Sequence, residues 1–126
     1  MKITEEKFAR ITRIIIKDVI DALPRSLRSK TDNLIFEIMD KPGPDRITED
    51  DDISGLMGLY SGVPLNERGV FENYTGPDVI TLFRLNIAEQ CENERELRDE
   101  IKLTIIHELG HMFGLEEDDL ERMGLD

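Results

Sequence analysis

Residues 94–113 place apolar side chains on two faces of any helix they form. Leu97, Ile101, Ile105, Leu109 and Met112 recur at helical spacing, and Leu103, Ile106 and Phe113 fall on another side. A helix that is apolar on two faces must be buried between other elements. Gly114 ends it, because glycine accepts the left-handed conformation that closes a helix. A chain of 126 residues has room for one core. It is therefore expected to form a single domain, residues 1–126, built around this segment.

The remaining elements follow from simpler patterns. Thr4 is a plausible N-cap, and Glu5 and Glu6 fall in the first turn, where the helix dipole favours acids. Phe8, Ile11, Ile15, Val19 and Ala22 then predict an amphipathic helix over 5–22, with Arg10, Arg13 and Lys17 outside. Pro24 stops it by excluding helical geometry at Leu23. Leu34 to Met39 reads as a strand, as do Leu56 to Tyr60 and Val79 to Leu85. Gly58 and Pro64 put the second of these at a sheet edge. Asp45 to Ser54 reads as an acidic loop, with one helical turn capped by Thr48. The order predicts an α+β fold: a small, mainly antiparallel sheet, an N-terminal helix and a central helix.

Charge narrows the function. Residues 1–33 carry 8 Lys/Arg and 5 Asp/Glu, whereas residues 34–126 carry 8 and 23, and the whole chain has a formal charge of −12. Such acidity argues against nucleic acid, which is bound through clustered Lys and Arg. No apolar run approaches the ~20 residues of a membrane-spanning helix. Cys91 is alone, so neither a disulfide framework nor a Cys-based metal site is expected. The opening Met1 and Lys2 lead directly to Glu5 and Glu6, unlike a signal peptide, so the expected location is the cytoplasm.

The central helix contains His107-Glu108-Leu109-Gly110-His111, the pattern H-E-x-x-H. Four residues advance a helix by about 400°, which sets both imidazoles on one side, one turn apart. Both can bind one zinc ion, while Glu108 projects beside the metal as a general base for zinc-activated water. The chain has only two His, and both are used here. Chance placement would give this arrangement on the order of 0.2% of the time in such a composition. The plainer alternative is a pair of core histidines satisfied by neighbours.

Catalytic zinc usually takes a third protein ligand. If the chain folds back after Gly114, Glu117 comes to the metal, with Glu116, Asp118 and Asp119 as competitors. Between Glu116 and Glu121 five of six residues are acidic, and at a cleft mouth they would favour neutral or cationic peptides over acidic ones.

The sequence resembles the minimal zincin-like metallopeptidases, short prokaryotic proteins with the pattern H-E-x-x-H-x-x-G-x-x-[DE]. The likeness runs through Ala22-Leu23-Pro24, Gly58-Leu59-Tyr60-x-Gly62-x-Pro64, Pro77-Asp78-x-Ile80-x-Leu82-Phe83-Arg84 and His107 to Gly114. It implies one zinc per chain on His107 and His111, with Glu108 as base in a zinc metallopeptidase acting on a peptide or protein. The family more often has Asp as third ligand, so Glu117 departs from it by one methylene. Larger zincins support the metal with a Met-containing turn. Here only Met123 is available, and it reads as a core contact of a short C-terminal helix.

Other features are weaker. Tyr60 offers a phenol donor for an oxyanion, although a strand tyrosine more often packs. A peptide can add as an extra strand along 56–62. Arg84 reads as a strand residue or the partner of a carboxylate. Asp50-x-Asp52-x-Ser54-Gly55 begins like a calcium loop, but Ser61 stands where the closing Glu belongs. The rival to an enzyme is a non-catalytic module, in which zinc fixes the C-terminal segment and the sheet edge binds a partner.

Overall fold

The computed structural model describes residues 1–43, 55–70, 74 and 76–123, and of Val70 and Glu117 only the backbone. The acidic segment Asp45 to Ser54, with its Thr48 cap and calcium-like spacing, lies outside the described residues.

Helix α1 spans Glu5–Ala22. Thr4 Oγ1 accepts the Lys7 N–H at 3.2 Å, Phe8, Ile11, Ile15 and Val19 are buried, and Arg10, Arg13 and Lys17 are exposed. Leu23 turns extended ahead of Pro24, and a single turn, α2 (Arg25–Arg28), follows. Strands β1 (Leu34–Met39), β2 (Gly58–Ser61) and β3 (Asp78–Phe83) form one sheet in the order β1-β3-β2. β2 lies at an edge, as its Gly and Pro suggested.

The α+β class stands, but the sheet is mixed rather than mainly antiparallel. β2 pairs antiparallel with β3, whereas β1 pairs parallel with it, from Leu34↔Asp78 to Met39↔Phe83. The central place goes to β3, whose Ile80, Leu82 and Phe83 are fully buried, as a near-continuous apolar run requires. Strand direction depends on the route between strands, which residue patterns do not encode.

The third strand is also shorter than its apolar run. Met39↔Phe83 and Gly58↔Leu82 are the last pairs, so beyond Phe83 no strand partner remains. Arg84 and Leu85 instead open helix α3 (Arg84–Glu89). The Arg84 guanidinium donates to Asp40 Oδ1 and to the Ile3 carbonyl, tying this corner to the end of β1 and the start of the chain. Cys91, just past α3, is buried, and burial pushes its thiol up, away from the reactive thiolate.

Helix α4 (Glu94–Phe113) has the expected bounds and is the hub of the fold. It touches α1, α3, β2, β3 and the last helix, α5 (Glu117–Arg122). Asn93 caps its start by accepting the Glu96 N–H at 2.9 Å. Gly114 closes it at φ 71°, ψ 30°, with Asn66 packed where a side chain would stand. Leu97, Ile101, Ile105, Leu109 and Met112 are buried, but Leu103 is 50% exposed. The core contact of α5 is Leu120; Met123 is exposed, contrary to expectation. No helix of the described residues is long and apolar enough to cross a membrane.

Thr12 on α1 is buried, and its hydroxyl has no hydrogen-bond partner among the described residues. Thr12→Val keeps the β-branched shape and removes that group, so stability should rise by about 1 kcal/mol. Denaturant unfolding checks this; a loss of stability would show that the hydroxyl is satisfied.

Candidate metal centre

One turn of α4 separates His107 from His111, and their rings stand edge to face with centroids 4.5 Å apart. Both imidazoles are exposed, and Glu108 beside them is buried. Ligand atoms of the three side chains lie within 4.8 Å of one another. They open onto a cleft of about 460 Å³. One wall is α4, through Glu100, Leu103, Thr104 and the motif, and the other is the segment Leu56–Leu59 that leads into β2.

Burying a carboxylate requires hydrogen bonds in place of water. Glu108 Oε1 accepts the backbone N–H of Tyr60 at 2.9 Å and lies 3.2 Å from His111 Nδ1. The first contact depends on how closely β2 approaches α4. A Cβ on Gly58 would lie 2.5 Å from the Thr104 methyl and 3.3 Å from Glu108 Cγ. Gly58 is thus the residue that lets the strand reach the helix. The approach is held from behind: the Leu56 carbonyl accepts from buried Asn86 at 2.8 Å and the Met57 carbonyl from the Phe83 N–H at 2.9 Å.

The Tyr60 phenol does not line the cleft. It donates to Asp78 Oδ1 at 2.6 Å, where Arg68 also donates at 2.7 Å. Arg68 reaches the Val63 carbonyl as well and stacks over the Tyr74 ring. Asp78 is 2% exposed, so this network satisfies a buried carboxylate and fixes the turn after β2. It is the backbone of Tyr60 that meets the motif. Residue patterns miss this because a main-chain donor has no sequence signature, although a Gly within a strand does signal close approach.

Beyond Gly114 the chain folds back, and Leu120 of α5 packs against Gly110, where an added Cβ would lie 2.9 Å from Leu120 Cδ1. Glu116 and Asp119 form a reciprocal capping box at the start of α5, and Asp119 also pairs with Arg122. These bonds lower the Asp119 pKa, the backbone bond from Glu116 first and Arg122 second. Asp118 is exposed, and the Glu117 side chain lies outside the described residues. None of the described acidic side chains of this segment lines the cleft. The carboxylate that sequence reasoning passed over is Glu100, which sits on the motif's own face of α4.

Two imidazoles one turn apart on a buried helix, with Glu108 beside them and a cleft along a strand edge in front, form a group that could hold a metal ion. The model for the zincin-like metallopeptidase family matches residues 31–125, and the chain belongs to that family. No curated protein matches the chain. Zinc is the metal that the family implies, and the donors fit it: imidazole nitrogens and carboxylate oxygens are its usual non-thiolate ligands.

Two measurements test this local structure. Gly58→Ala should cost about 1–3 kcal/mol in denaturant unfolding, because the methyl must displace Thr104 or the strand. An unchanged midpoint would show that β2 is not tightly seated. Burial first, and then the Asp78 carboxylate, hold the Tyr60 phenol well above the usual tyrosine range. The folded state thus favours the protonated phenol. This contribution to stability is full below the unfolded pKa of about 10 and is lost as pH rises through the folded value. Tyrosinate absorbance of wild type and Tyr60→Phe should coincide up to about pH 11; earlier divergence would mean a freely titrating phenol.

Proposed function

We propose that this chain is a zinc-dependent peptidase in which Glu108 moves the proton that hydrolysis requires. The observation that carries the reading is the placement of Glu108: a buried carboxylate beside two exposed imidazoles, facing a cleft whose far wall is a strand edge. His107 and His111 would hold the metal. Glu117 is the third ligand favoured by spacing, and the engagement of Glu116 and Asp119 in the capping box supports it over them. When bound, zinc supplies Lewis-acid polarisation of the scissile carbonyl and makes water a stronger acid.

The chain's own residues do the rest. The Tyr60 N–H holds Glu108 through Oε1, which leaves Oε2 without a partner among the described residues. From that position Glu108 takes a proton from the attacking water and delivers it to the leaving amine. The Met57 carbonyl is bonded to β3, so strand alternation turns the backbone of Gly58 away from the sheet, toward the cleft. A substrate peptide in extended form can pair there, which brings its carbonyls past the histidines. Leu56, Met57, Leu59 and Leu103 give the cleft apolar walls that limit water around the reacting bond.

Glu108→Gln keeps the shape and hydrogen-bond acceptor but removes the base. It should retain one zinc per chain by metal analysis and lose peptide cleavage by at least about 100-fold. His107→Ala should lose the zinc itself. Wild-type protein that holds zinc but cleaves nothing in a broad peptide library would favour the non-catalytic binding module. Failure to take up zinc at all would overturn both readings.

A further inference from the structure

The cleft extends along α4 well beyond the histidines. Glu100, Leu103, Thr104, His107 and His111 fall at successive turns of one face and all line it. Glu100 lies seven residues before His107, about 10.5 Å along the helix axis. Three observations single it out. Its carboxylate has no hydrogen bond or ion pair among the described residues, whereas Glu94 is paired with Arg98 and Lys7, and Glu96 accepts the Glu92 N–H. Among the described residues the lining contains no Lys or Arg. Between Glu100 and the motif the walls are Leu56, Met57 and the half-exposed Leu103, an apolar channel that ends in a negative charge.

We infer that this end of the cleft is a subsite for a lysine or arginine side chain of the bound peptide, with Glu100 as its counter-ion. The inference rests on the reading of the cleft as a peptide site. A long basic side chain matches the channel in both parts: the aliphatic stem covers Leu103 and Met57, and the cationic end meets the carboxylate. A separation of about 10 Å exceeds the Debye length of ~8 Å at physiological salt, so bound zinc would leave the Glu100 charge largely uncompensated. An extended peptide advances ~3.3 Å per residue and a lysine side chain spans about 6 Å, which puts the selected residue about two positions from the scissile bond. The described acidic side chains of the C-terminal segment, those of Glu116, Asp118, Asp119 and Glu121, do not line the cleft. Selectivity comes from one carboxylate at a defined distance from the motif.

The test uses zinc-loaded Glu108→Gln protein and dye-labelled peptides that differ at one position, lysine against norleucine, with that position moved along the peptide. Binding is followed by fluorescence anisotropy. Lysine should tighten binding about two- to fivefold at one or two adjacent positions and nowhere else. Adding Glu100→Gln should bring the ratio to about one, and Glu100→Lys should transfer the preference to a glutamate peptide. Circular dichroism verifies that both variants fold. A lysine preference that is equal at every position would reflect only the overall charge of the chain and would overturn the subsite. So would a preference that survives Glu100→Gln, or a failure of every peptide to bind. If the position-specific preference is found but the wild-type zinc protein cleaves none of these peptides, the subsite stands and the catalytic reading falls.

Discussion

β2 lies so close to α4 that only a hydrogen atom fits between the Gly58 backbone and the Thr104 methyl. Much of the site's geometry depends on that contact. It brings the Tyr60 N–H to the Glu108 carboxylate, which gives a buried charge the hydrogen bond it needs. It also brings a strand edge alongside the two histidines, and so turns a helix motif into one wall of a cleft.

Much of the polar network outside the site maintains this approach. Asn86 and the Phe83 N–H hold the segment that leads into β2, and the cluster of Asp78, Tyr60 and Arg68 holds the turn that leaves it. Arg84 locks the start of α3 to the end of β1. The buried groups among these are costly to leave unpaired, so the strand resists drifting from the helix. In this member of the zincin-like family the helix-borne motif therefore rests on a scaffold in which α4 touches most of the described elements.

The long helices were legible because their signals are local. Thr4, Pro24 and Gly114 act within a turn of themselves, and the apolar spacing of α1 and α4 needs only the 3.6-residue period. The position of β2 at an edge was readable from Gly58 and Pro64. The end of β3 was not, because Arg84 and Leu85 continue its apolar run and become helical only where strand partners cease. Leu103 was read as core for a related reason. Periodicity marks it as apolar, yet it covers a cleft wall rather than an interior.

The candidate site divides in the same way. His107, Glu108 and His111 are placed by helix geometry alone, since residues four apart in one helix share a face wherever the helix lies. That reading needs no neighbour. Whatever the rest of the chain contributes to the cleft depends on contacts between distant segments: Tyr60 meets Glu108 through its backbone, the Tyr60 phenol turns to Asp78, and Glu100 lines a cleft only because residues 56–59 pack opposite it. A periodic pattern encodes the face of a helix, but not which segment will lie against that face.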